Sequence, residues 1–320
     1  MKEKTWLYRV LSAAGSKTQY DEYVKRILGS RQVLARILKG AVPEYNRYSI
    51  DEIIQWIEPD IEIADTPPQP GGKNNFDTRI TGENTESKIP GEGTINYDIR
   101  FRAFLPGNNE TEKIKLLLNV EAQKNFYLKY HIVTRGIFYG ARMLSEQLNS
   151  EFTDSDYDEL KKVCSIWICM NSPLHIGNAM SEYRISKQDI IGYIPEQKRC
   201  YDKLSVIIIC LNETDGKDLR GSLHGFLNTL LSPYMDINKK EEILTRDYGM
   251  IMEYELEKEL RQMCNLSEAI EEKALQEGFE KGILLTKKVL KLSAEGLNDT
   301  EIAETCEIPE ENVESMRKSL

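Results

Sequence analysis

Between Thr94 and Lys124 apolar and polar positions alternate with a period of two. Ile95, Tyr97, Ile99 and Phe101 alternate with Asn96, Asp98, Arg100 and Arg102; further on, Ile114, Leu116, Leu118 and Val120 alternate with Lys115, Asn119, Glu121 and Gln123. Successive side chains of a strand point to opposite faces, so this pattern predicts two strands, each with one apolar and one polar face. Pro106-Gly107-Asn108-Asn109 between them is turn chemistry and predicts an antiparallel hairpin. Helical spacing appears on both sides of the hairpin. Val24, Ile27, Leu28, Leu34, Ile37 and Leu38 predict a helix over 17–38, stopped by Pro43, and a short helix over 51–57 follows, capped by Ser49 or Asp51. A further helix is expected over 131–148, with Val133, Ile137, Gly140, Leu144 and Leu148 as its buried stripe.

Two later segments, VCSIWICM (163–170) and LSVIIICL (204–211), are too apolar for half-exposed strands and predict buried central ones. Between them lies a polar stretch with an extra hairpin expected around Tyr183 to Ile194. Exposed strands, a helical crossover and then buried strands give an α/β fold with a mixed sheet flanked by helices. From Leu223 the chain becomes helical and acidic, with helices expected at 222–231 and 237–247. A heptad-like run over 250–285 follows, whose seam is Met252, Leu256, Leu260, Met263 and Leu266. The tail has the spacing of a helix-turn-helix: helices at 286–295, 300–306 and 309–319, with Asp299 as a cap and Leu292, Leu297, Ile302, Ala303, Ile308, Val313 and Met316 as a small core. The expected organisation is a sheet domain over 1–235, a helical extension over 236–285 and the tail over 286–320. The seam is satisfied either by the chain's own core or by a second copy in a homodimer.

Charge narrows the partners. A net charge of −10 excludes a protein that coats nucleic acid through bulk positive charge. The first forty residues are nonetheless basic, and the helix over 17–38 presents either a phosphate-binding or a solvated face. Glu310, Glu311 and Glu314 at the leading end of the last helix disfavour DNA reading by the tail. The six cysteines lack paired spacing, and with three histidines they form no zinc template, which predicts reduced thiols. No apolar run approaches membrane-span length and MKEKTWLYRV lacks a secretory apolar region, so a cytoplasmic protein is expected.

Candidate chemistry concentrates in the hairpin. If its polar faces coincide, Asp98, Glu121 and Gln123 meet, and two nearby carboxylates repel unless a hard cation such as Mg²⁺ lies between them. Such a cation acidifies water and neutralises charge building on a phosphate, which is the pattern of a PD-(D/E)XK phosphodiesterase. Gln123 stands where that pattern has Lys, and Lys124 is expected on the opposite face. Glu83, Glu86 and Glu92, in the irregular stretch 64–93, are further candidate ligands or plain surface acids. Arg135, Tyr139 and Arg142 recur at helical spacing after the hairpin, either as a basic-aromatic ridge for a phosphate or as helix-to-sheet packing.

The order of blocks YDIRF, LLLNVEAQKN, RGIFYGARMLSEQ and YDELKKVCSIWICMNSP over roughly 20–235 resembles the PD-(D/E)XK nuclease family transposases, also called recombination-promoting nucleases. The resemblance implies a restriction-endonuclease-like core, Mg²⁺-dependent (or Mn²⁺-dependent) cleavage of DNA, and association with mobile elements and recombination. It also implies metal ligation by Asp98 and Glu121, with Gln123 in the Lys position. The alternative from another class is a catalytically silent nuclease scaffold that binds DNA or a protein. The two are separated by whether the carboxylates bind a divalent ion.

Overall fold

The computed structural model describes residues 19–58, 62–63, 86–89, 93–106, 113–214 and 218–318. These fall into two compact units that divide between Cys264 and Asn265.

The first unit begins with helix α1 over 19–28 and helix α2 over Arg31–Ala41. The expected single helix is therefore broken, and the break falls at Gly29-Ser30, where Val33 and Leu34 restart the ladder on the Ser30 carbonyl. All six apolar positions read from its spacing are fully buried. Helix α2 stops at Ala41, and Pro43 opens a 3-10 turn over Pro43–Tyr45. Helix α3 (Ile50–Trp56) starts with a reciprocal cap: the Ser49 hydroxyl accepts from the Glu52 backbone, and the Glu52 carboxylate accepts from the Ser49 N–H.

The strands are β1 (Glu62–Ile63), β2 (Glu86–Ile89), β3 (Gly93–Asn96), β4 (Ile99–Pro106), β5 (Lys113–Asn125), β6 (Lys162–Asn171), β7 (Ala179–Arg184) and β8 (Leu204–Cys210). Strands β2 and β3 pair with each other; the other six form an open mixed sheet in the order β1-β4-β5-β6-β8-β7. Strand β4 runs antiparallel to β5, with Ile99 opposite Val120, whereas β5, β6 and β8 are mutually parallel. The fold is thus α/β. The expected hairpin pairing is present; its turn residues 107–109 lie outside the described residues.

Strand β5 is not half-exposed as the alternation suggested. It is third of six, and every residue from Leu116 to Glu121 is buried. One face of the sheet (Ile99, Phe101, Leu118, Val120, Ile166, Ile209) packs on α1 and α2 and on helix α6 (Leu223–Leu231). The other face (Leu117, Val163, Trp167, Val206, Ile208) packs on helix α4 (Ile132–Ser145). Cys164 and Cys169 lie on opposite faces, as their spacing requires, and all six cysteines are free thiols.

Helix α4 is rotated from the expected stripe. Ile137 and Leu148 are exposed, and the buried side is Ile132, Gly136, Tyr139, Gly140 and Met143. Two glycines set this phase. A Cβ on Gly136 would lie 2.6 Å from Val206 Cγ1, and one on Gly140 would lie 2.4 Å from Leu204 Cδ1, so the helix backbone lies almost directly on β8. The segment after β6 forms no separate hairpin. Instead, β7 pairs with β8 as an edge strand, and residues 185–190 have no regular structure.

A short helix α5 (Lys198–Tyr201) precedes β8; after β8 come α6 and α7 (Ile237–Tyr248), and then a single helix α8 (Tyr254–Ala294) in place of two separate ones. Leu256, Leu260 and Met263 of the expected seam are buried in the first unit's own core. In the second unit α8 is followed by α9 (Asp299–Cys306) and α10 (Glu310–Lys318), around a core of Val289, Ile302 and Val313. The cap of α9 is Asn298, paired reciprocally with Glu301; Asp299, expected in that role, pairs with Arg317. No helix among the described residues is long and apolar enough to cross a membrane.

Candidate functional site: a carboxylate pair at the β4–β5 edge

The alternation of the first hairpin strand fails at one residue. Tyr97 packs with Leu117 and Trp167 on one face of the sheet, whereas Ile99 packs on the other. Residues two apart on an unbroken strand share a face, so the chain bends at Asp98. The bend turns the Asp98 side chain back onto β5, where its Oδ2 accepts the Ala122 N–H at 3.0 Å. Its own backbone N–H donates to Glu121 Oε1 at 3.0 Å. The two carboxylates are thereby fixed by reciprocal backbone bonds across adjacent strands.

Glu121 is buried, at 3% exposure. Burial, and then the negative charge of Asp98, push its carboxyl up to about 8, against the pull of the Asp98 N–H, Asn119 and Arg135. Both causes favour the protonated form of Glu121. Asn119 Nδ2 donates to Glu121 Oε1 at 3.2 Å, while the buried Asn119 Oδ1 has no hydrogen-bond partner among the described residues. Gln123 lies two residues along the same face, half-buried, in register with Cys169 of β6.

The helix α1 residues at this site were not singled out by sequence. Lys25 Nζ lies 2.6 Å from Asp98 Oδ1. Asp21, one turn earlier, is raised by burial; the charges of Lys124 and Lys25 pull it down, and Asp98 pushes it up. Lys124 thus does point away from the Glu121 face, yet it belongs to the same charge cluster. The only sequence signal for Lys25 was its place on a basic helix, because the contact joins residues far apart in the chain.

The expected ridge on α4 is not an exposed surface. Tyr139 and Arg142 are 7% and 4% exposed. Arg142 lies beneath the Phe138 ring and acts electrostatically on Glu146. Arg135 alone of the three keeps a surface position: it donates to the hydroxyls of Tyr130 at 2.6 Å and Tyr139 at 2.7 Å, and its guanidinium lies over the Trp167 ring at 5.3 Å. The helix phase fixed by Gly136 and Gly140 turns the other two inward.

The donor set bears on whether a divalent cation fits. Among the described residues no cluster of three or more His, Cys, Asp or Glu could hold a metal. Here the donors are two carboxylates and the orphaned Asn119 oxygen, all hard. Mg²⁺ is commonly held by one or two carboxylates with water and substrate phosphate completing its shell, so the set fits that ion. A cation would also offset the burial and the repulsion from Asp98 that together favour protonated Glu121. Of the loop acids, Glu86 lies in β2, and Glu83 and Glu92 lie outside the described residues. Family models, curated proteins and solved structures were each searched for counterparts of this chain, and none of the three comparisons returned a match.

Proposed function

We propose that the chain is a divalent-cation-dependent phosphodiesterase cutting DNA on a restriction-endonuclease-like core, with Asp98 and Glu121 as ligands of Mg²⁺ or Mn²⁺. The observation that carries this reading is that Glu121 accepts the Asp98 N–H while the Asp98 carboxylate accepts the Ala122 N–H, which anchors both carboxylates at one strand edge where Glu121 resists ionising without a counter-charge. The reaction class comes from the resemblance of the surrounding blocks to the PD-(D/E)XK nuclease family transposases, and with it a role in recombination or mobile-element movement. A cation bound there would supply Lewis-acid chemistry, acidifying water and screening charge on the phosphate.

The chain's own groups have distinct tasks. Glu121 gives up its proton as the site loads, so its charge appears only where it is compensated. Lys25, beside Asp98, supplies positive charge to the phosphate that the neutral amide of Gln123 cannot provide. Gln123 orients the attacking water or bonds a phosphate oxygen. The test is nicking of supercoiled plasmid with Mg²⁺ by the wild type beside Asp98→Ala and Glu121→Ala. The proposal expects activity only in the wild type, and equal nicking by all three proteins would refute it.

One observation favours a second reading, a silent scaffold that binds DNA or a protein partner. The Lys25–Asp98 ion pair and the protonated Glu121 leave the pair satisfied without any cation. Retained partner binding without Mn²⁺ uptake would select this reading.

A further inference from the structure

From Ala122 to Ser145 the chain contains no Asp or Glu, although the whole protein carries a net charge of −10. Of its cations Lys124, Lys129 and Arg135 reach solvent while Arg142 is packed inward, and the stretch is also rich in aromatic rings. It leaves the carboxylate site directly: β5 ends at Asn125, two residues beyond Gln123, and the chain turns into α4. Three of its rings face solvent, Tyr127 at 65%, Tyr130 at 48% and Phe138 at 56%. The two tyrosines are held in place. Tyr127 stacks on His175 with ring planes 22° apart, and its hydroxyl bonds the imidazole Nε2 at 3.0 Å. Tyr130 is fixed by the Arg135 guanidinium, whose charge also reaches Glu121.

Rigid exposed rings beside cations, next to paired carboxylates, have the chemistry that binds unpaired bases. A base stacks on a ring face whatever its identity, and cations track the phosphates. In a paired duplex the base faces are hidden within the stack and offer nothing to such rings. Charge complementarity also identifies the occupant, since this acid-free stretch suits a polyanion. We infer that the Tyr127–Tyr130–Phe138 surface receives an unpaired nucleic-acid strand and delivers it to the Asp98–Glu121 pair. The substrate is therefore a strand end, flap or loop, and not an intact duplex. This rests on the hydrolytic reading for what happens to the strand, but the binding itself stands apart from it.

The experiment is fluorescence anisotropy on the full chain in EDTA, so that nothing is cut. It uses a labelled oligodeoxythymidine, an oligouridine of equal length and a fully paired DNA duplex. At least one single strand is expected to bind about tenfold or more tightly than the duplex, and the two strands distinguish DNA from RNA. Tyr127→Ala and Tyr130→Ala are each expected to weaken that strand about 5- to 100-fold, the effect of losing one base stack. Tyr127→Phe should retain affinity, because the ring face remains. Duplex binding as tight as the single strand, or affinity unmoved by both alanine variants, would overturn the inference. Plasmid nicking without any aromatic-dependent strand preference would overturn this surface and leave the hydrolytic reading standing. Strand preference without any nicking would support the surface and refute hydrolysis.

Discussion

Replacing Glu121 with Gln tests the electrostatics of the site through stability. The amide keeps an oxygen to accept the Asp98 N–H and removes only the ionisable proton. In the folded chain the Glu121 carboxyl is raised from 4.5 to about 8, chiefly by burial and then by Asp98. The sign follows from proton counting: between these two values the folded state keeps a proton that the unfolded state has released, so wild-type stability falls as pH rises through the window. Below it both states are protonated, and above it both are ionised. Each pH unit by which the folded carboxyl is raised corresponds to a loss of about 1.4 kcal/mol across the window. Glu121→Gln lacks that loss. Urea unfolding in EDTA should therefore give variant and wild type similar stability near pH 4.5. The variant should gain progressively to several kcal/mol by pH 8 and level off above. A difference that does not change with pH across this window would refute the buried, proton-holding carboxyl.

Three further outcomes follow from the packing and charge around the site. Lys25→Met removes the cation against Asp98, so Mn²⁺ should bind as well or better by calorimetry while single-turnover cleavage slows about 10²-fold; equal losses in both would place Lys25 in a structural role only. Gly136→Ala meets the stiff Val206 side chain and the Trp167 indole, whereas Gly140→Ala meets only the terminal methyl of Leu204. After a gain of about 1 kcal/mol in helix propensity, Gly136→Ala should still lose about 1 kcal/mol and 2–4 °C in melting temperature, with Gly140→Ala near neutral by thermal unfolding. Lys162→Met strands Glu44 and leaves Asp202 with Lys198 at 3.4 Å; their carboxylates lie 2.6 and 3.0 Å from Lys162 Nζ, and the change should cost about 2 kcal/mol in chemical denaturation.

Much of the fold was legible because local periodicity and burial agree. The buried runs of β6 and β8, the six core positions of α1 and α2, and most of the small core of the C-terminal unit follow from spacing alone. The failures share a tertiary origin. The phase of α4 departs from its apolar spacing because its sheet-facing side is marked by two glycines and a tyrosine, while Ile137 and Phe138 are left exposed. Strand β5 is central and buried even though its residues alternate. In the candidate site, spacing identified Asp98 and Glu121 as a pair, but not how they meet. Strict alternation would have carried Asp98 along an unbroken strand; a bend there lets its carboxylate cap the Ala122 N–H instead. Lys25 was invisible as a site residue because helix packing brings it to Asp98, and no sequence period encodes that contact.

Metal-linked proton release measures the central claim directly. Titrating the full chain with Mn²⁺ at pH 7 in buffers of different ionisation enthalpy gives the number of protons displaced per ion bound. With the Glu121 carboxyl at about 8, binding should release close to one proton, falling toward none above pH 9 and lost in Glu121→Gln. No Mn²⁺ binding, or the same proton release from Glu121→Gln, would contradict the account of Asp98 and Glu121 as a cation site.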